Sequence, residues 1–124
     1  MKSPANIVVV EDDPGLRHSF ARMLRAEGHV VLEMENGRTA LAEVLAKPPD
    51  LLITDVNMPE FDGLELIRGV RKRHPDLPII AMTVGGALPT DVTLDAARLL
   101  GAHATFDKLT SPKVLVELVA RILA

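Results

Sequence analysis

Five short apolar runs punctuate this chain, and their spacing constrains its fold more than any other feature. They cover residues 6–10, Val30-Val31-Leu32, residues 50–55, residues 78–82 and residues 103–107. Ile7-Val8-Val9-Val10 shows no alternation with polar residues, which reads as a strand buried on both faces. Between the runs lie segments with helical periodicity. Leu16, Phe20, Met23 and Leu24 recur at helical spacing after Asp13-Pro14, a pair suited to the cap and first turn of a helix, and Gly28 is a natural stop. Residues 38–46 predict a second helix, which follows the Asn36-Gly37 turn and ends at Pro48-Pro49. Asp62-Gly63-Leu64-Glu65 has the form of a capping box, and Leu64, Ile67 and Val70 then share one face. His74-Pro75 ends that helix. A helix over 91–100 and another from Ser111-Pro112 to Leu123 complete the pattern. Five strands alternating with five helices predict an α/β fold, with a parallel sheet, helices on both faces and right-handed crossovers.

The strand ends carry the chemistry. The first run ends in Glu11-Asp12-Asp13, the third in Asp55, the fourth in Thr83 and the fifth in Lys108. Parallel strands bring these ends to one edge of the sheet, where an α/β fold places its ligand site. If the first and third strands are neighbours, Glu11, Asp12 and Asp55 converge. Two like charges ~4 Å apart repel by about 4 kcal/mol at an effective dielectric of ~20. A hard divalent cation offsets that repulsion. Mg²⁺ takes one or two carboxylates and keeps several waters, which leaves room for phosphate oxygens. Asp55 then suits a nucleophile that forms an aspartyl-phosphate. Lys108 would supply a second positive charge and Thr83 a hydrogen bond to the phosphoryl group. Asp13 reads as the helix cap, because Pro14 follows it.

Composition removes other classes. A length of 124 residues argues for one domain, residues 1–124, with a core that needs no staples. The absence of Cys excludes disulfide frameworks and Cys-based zinc sites. A net charge of -3, from 14 basic and 17 acidic residues, gives no electrostatic reason to expect direct nucleic-acid binding. Arg71-Lys72-Arg73-His74 reads as a solvated helix end. With three Phe and neither Trp nor Tyr, there is little on which bases or a flavin could stack. The N-terminal residues do not resemble a secretory signal, and no run approaches a membrane span, so no membrane insertion and a cytoplasmic location are expected.

The ordered set resembles the receiver domains of two-component response regulators. Val8-Val9-Val10-Glu11-Asp12-Asp13-Pro14 carries the resemblance, with Leu51-Leu52-Ile53-Thr54-Asp55-Val56-Asn57-Met58-Pro59, then Asp62-Gly63, Thr83 and Lys108. It implies a flavodoxin-like (βα)5 three-layer sandwich with strand order 2-1-3-4-5. It implies Asp55 as phosphoacceptor and Mg²⁺, with Mn²⁺ as a substitute, held by Asp12 directly, by Glu11 largely through water, by Asp55 and by the Asn57 backbone carbonyl. Thr83 matches the switch hydroxyl and Lys108 the phosphate-sensing lysine. The implied donor is a histidine kinase or a histidine phosphotransfer protein, and the implied activity is self-phosphorylation and dephosphorylation without turnover of an external substrate. Within these residues no DNA-binding or catalytic output segment is expected, and output is expected through a downstream protein partner or a domain outside them.

Two departures from the family pattern are visible. Leu109 follows Lys108 where Pro is usual, which predicts a trans bond and a reshaped loop. The switch aromatic is replaced by Thr105, and Phe106 has the opposite strand parity. The Gly85-Gly86 loop is the expected alternative carrier of conformational change. These departures keep a receiver-fold scaffold that acts without phosphorylation as the alternative reading. A phosphatase-type enzyme fits less well, because Asn57 cannot serve as the general acid of an Asp-x-Asp motif. A flavodoxin-type carrier fits less well too, because Glu11-Asp12-Asp13 would repel a flavin phosphate.

Overall fold

The computed structural model describes residues 4–56, 58, 63–83, 101–108 and 110–124. In chain order these form β1 (Asn6–Val10), α1 (Pro14–Ala26), β2 (Val30–Met34), α2 (Gly37–Ala46), β3 (Leu51–Asp55), α3 (Gly63–Arg73), β4 (Ile79–Thr83), β5 (Ala104–Asp107) and α4 (Pro112–Leu123). All five strands are parallel, in the order β2-β1-β3-β4-β5. The expected helix over 91–100 and the Asp62 cap lie outside the described residues.

Side-chain alternation divides the core into two layers. Ile7 and Val9 face one side of the sheet and join Phe20 and Leu24 of α1 with Leu115 and Val119 of α4. Val8 and Val10 face the other side and join Ala40 and Val44 of α2 with Leu66, Ile67 and Val70 of α3. β3 is buried along its whole length. Burying a Val, Leu or Ile side chain contributes about 1.5–3 kcal/mol, so this two-sided strand is the axis of the fold. Phe106 of β5 belongs to the α1/α4 layer and meets Phe20 edge to face, with ring centroids 6.3 Å apart.

The helix ends follow their local chemistry. Asp13 Oδ1 accepts from the Gly15 and Leu16 amides at 2.8 and 3.2 Å, and Pro14 opens α1. Asn36 Oδ1 accepts from the Thr39 amide at 2.9 Å and caps α2. Ser111 caps α4 ahead of Pro112. Gly28 takes φ +95° after α1, a conformation that side chains with a Cβ resist. Among the described residues no helix is long and apolar enough to cross a membrane.

Candidate functional site

The sheet order sets the geometry of the candidate site. β1 and β3 are direct neighbours, with Val10 opposite Thr54, so Glu11 and Asp55 leave the sheet side by side. Carboxylate oxygens of Glu11, Asp12 and Asp55 all lie within 4.8 Å of one another. β5 lies one strand further out, beyond β4. Lys108 nevertheless spans the gap. Its Nζ donates to Glu11 Oε1 at 2.6 Å and to Asp55 Oδ2 at 2.9 Å. The side chains of Glu11, Asp55 and Lys108 are all buried, at 1%, 4% and 4% exposure, while Asp12 is open to solvent.

The backbone under these groups is tied down. The Glu11 amide donates to the Met34 carbonyl at 3.1 Å, and the Asp13 amide donates to Glu11 Oε2 at 3.1 Å. The Thr54 hydroxyl donates to the Asp55 carbonyl oxygen at 2.9 Å. The Gly63 amide donates to the Val56 carbonyl at 3.0 Å, which draws the start of α3 against the end of β3. At residue 63 a Cβ would overlap the Asp55 carbonyl oxygen and stand 2.8 Å from the Val56 Cα, so only glycine fits.

Burial in this acidic setting perturbs both partners of the central ion pair. Desolvation pushes the Glu11 carboxyl from 4.5 up to about 7, and the Asp55 charge adds to the rise. Hydrogen bonds from Lys108 and the Asp13 amide oppose it without cancelling it. For Lys108, burial works against the ammonium, but its hydrogen bonds to Glu11 and Asp55 and their charges outweigh burial and raise its pKa. The Glu11 and Asp55 carboxylates thus share one lysine with the Asp12 carboxylate beside them, and the excess negative charge favours a retained proton or a bound cation. The donors are all hard oxygens, the set that suits Mg²⁺, so the residues present fit such an ion.

The response regulator receiver domain family matches residues 7–120. This chain belongs to that family. It is 38% identical over 114 residues to the DNA-binding transcriptional regulator NtrC of Salmonella typhimurium, an alignment covering 92% of this chain and 23% of that protein. It is 39% identical over 122 residues to the response regulator MprA of Mycolicibacterium vanbaalenii, covering 98% of this chain and 50% of that protein. The receiver chain therefore spans half or less of the length of these relatives. Among solved structures, the chemotaxis protein CheY4 of Vibrio cholerae superposes with a TM-score of 0.86 at 26% identity, covering 97% of this chain and 99% of that one. A CheY-like receiver domain protein of Methanospirillum hungatei gives 0.88 at 26% identity, covering 98% and 94%.

Of the residues singled out in the sequence, this receiver domain brings Glu11, Asp12, Asp55 and Lys108 into one pocket. Thr83 closes β4, opposite Asp107 in register, and its side chain lies outside the described part of the structure. Asn57, Leu109 and the Gly85-Gly86 loop lie outside the described residues. The basic cluster departs from expectation at two members, since Arg71 and His74 are both half-buried. Arg71 is not a solvated helix end: its Nη1 donates to the His74 carbonyl at 2.8 Å, and Nε and Nη2 donate to the Gly101 carbonyl at 2.9 and 2.7 Å. Burial holds its pKa below the usual arginine value, with the nearby Asp76 charge opposing. Arg71 thereby fixes the turn that leads into β5 and, at its far end, Lys108. Sequence reasoning also passed over Arg17. No motif marks it, and only the fold brings it back onto Glu11.

Proposed function

We propose that this receiver domain, taken as residues 1–124, is a phosphoryl-accepting switch of a two-component phosphorelay. The observation that carries the reading is the contact between Asp55 Oδ2 and Lys108 Nζ, 2.9 Å apart, beside the Glu11 and Asp12 carboxylates. A carboxylate in this setting is held at a strand end with its backbone fixed, and its neighbours are arranged to manage added negative charge.

Asp55 would attack phosphorus with a carboxylate oxygen. The P–N bond of a phosphohistidine on a histidine kinase or phosphotransfer protein would break, and its electron pair would return to the imidazole nitrogen. Small acyl phosphates would serve as alternative donors. Glu11, Asp12 and Asp55 would hold the divalent cation, with the Asn57 carbonyl completing the set. When bound, the cation supplies charge neutralisation at the transferred oxygens. Lys108, already on Asp55, would keep its ammonium on the new phosphoryl group, and Thr83 would donate to the same group. Hydrolysis of the aspartyl-phosphate would reset the domain with no external substrate turned over.

Phosphorylation can shift the domain only through its differential stabilisation of two states. A change from 1:99 to 99:1 needs about 5.5 kcal/mol. One phosphoryl–lysine pair and one hydroxyl hydrogen bond in a partly buried site are of that order. Output would pass to a downstream protein partner or to an attached domain, such as the DNA-binding function that the name of NtrC carries, and the site of action would be the cytoplasm.

The test is intact mass after incubation with Mg²⁺ and an acyl phosphate. Wild type should gain one phosphoryl group, chelation of the metal should abolish the gain, and Lys108→Met should slow it. A wild-type mass that stays unchanged with Mg²⁺ present would favour the scaffold reading.

A further inference from the structure

The peptide joining Glu11 to Asp12 is held at its oxygen by a side chain outside the acidic cluster. Arg17 reaches back from the first turns of α1, and its Nη1 donates to the Glu11 carbonyl at 3.0 Å. Its Nε lies 3.4 Å from Glu33 Oε1, and the side chain is only 13% exposed. Glu33 stands on edge strand β2 and is itself held by two further contacts. His18 Nδ1 lies 2.6 Å from Glu33 Oε1, and Arg25 Nη1 lies 3.0 Å from Glu33 Oε2. Arg25 Nη2 also donates to the Val31 carbonyl at 2.9 Å, so this guanidinium is anchored on the open edge of the sheet and does not touch Glu11.

We infer that Arg17 is a positioning residue of the acidic pocket, orienting the Glu11–Asp12 peptide so that Asp12 faces Glu11 and Asp55. This rests on the reading of the pocket as a divalent-cation site. Asp12 is exposed and meets the Glu11 side chain by a hydrogen bond, so its placement depends on that contact and on the peptide plane that precedes it. The peptide before that plane is fixed by the Glu11 amide, which donates to the Met34 carbonyl. The Glu11–Asp12 plane itself is held at its oxygen, which accepts from the Arg17 guanidinium that pairs with Glu33. A charge-assisted bond from a planar donor whose other edge faces a carboxylate restricts rotation more than a water would. Partners of this kind, one step removed from a metal ligand, typically alter metal affinity by 10–100-fold when removed.

The experiment compares Arg17→Met and Arg17→Lys with Arg25→Met, which breaks the Glu33 pair from its other side. Calorimetric titration with Mg²⁺ should give about a tenfold weaker dissociation constant for Arg17→Met. Arg17→Lys, which keeps a donor but not the fork, should fall between it and wild type, and Arg25→Met should match wild type even where its thermal midpoint falls. A second readout needs no metal. Exchange of the Asp13 amide, which donates to Glu11 Oε2, should accelerate in metal-free Arg17→Met and not in Arg25→Met. Equal effects from the two arginines on both readouts, or none from Arg17, would overturn the inference. If wild type takes up no Mg²⁺, the cation reading fails, and the amide exchange alone decides whether Arg17 positions the loop.

Discussion

Glu11 and Lys108 show at residue scale how this pocket stores its tension. Folded Glu11 keeps its proton up to about pH 7, whereas the unfolded chain releases it near 4.5. Between those values the native state binds more protons than the unfolded state, so this group's contribution to stability falls as pH rises. Urea unfolding of metal-free wild type and Glu11→Gln, compared at about pH 5 and about pH 7.5, isolates the effect. The stability difference should move against wild type at the higher pH, and the opposite movement would refute the assignment. Excess Mg²⁺ should reverse the trend, because a ligand of the native state adds stability and competes with the proton. Asp55→Asn belongs to the same balance. It removes one carboxylate, leaves an amide oxygen able to accept from Lys108, and relieves the charge that helps raise Glu11. The variant should therefore be more stable than metal-free wild type in urea unfolding, and a loss of stability would contradict this balance.

Among the elements, the join between β3 and α3 is the most demanding. The close approach of Gly63 to the Asp55 carbonyl leaves no room for a methyl group, so Gly63→Ala should cost about 2–3 kcal/mol by urea unfolding and slow phosphorylation of whatever remains folded. Unchanged stability would mean that α3 can slide away from β3. The elements themselves were readable, because their signals are local. The run at residues 6–10 became β1 with the same bounds, Asp13-Pro14 began α1, and Ser111-Pro112 began α4. Contacts that cross the fold were not readable. Arg71 looked like one member of a solvated basic run, since nothing near it in sequence reveals the Gly101 carbonyl 30 residues away. Arg17 lies six residues from Glu11, a spacing with no meaning until β1 and α1 fold back on each other. Phe106 was placed by strand parity alone, and its edge-on contact with Phe20 is the packing that parity could not supply.

Across the whole molecule, strand order converts scattered motifs into one site. The sequence could bring strand ends to one edge, but only the order β2-β1-β3-β4-β5 makes Glu11 a neighbour of Asp55 and leaves Lys108 to reach across β4. That order came from family resemblance, because apolar runs specify burial and not adjacency. The depth of the pocket was hidden as well. A lysine after a short strand gives no sign that its side chain will be 4% exposed.

The central claim is that Asp55, and no other carboxylate of the cluster, receives the phosphoryl group. After incubation with Mg²⁺ and an acyl phosphate, borohydride reduction of the acyl phosphate would convert the modified aspartate to homoserine, and peptide mass mapping would locate it. Homoserine at position 55 in wild type, with none at position 12 and none at either position in Asp55→Asn, is the predicted result. Homoserine at position 12, or an unmodified Asp55 in a protein that binds Mg²⁺, would contradict it.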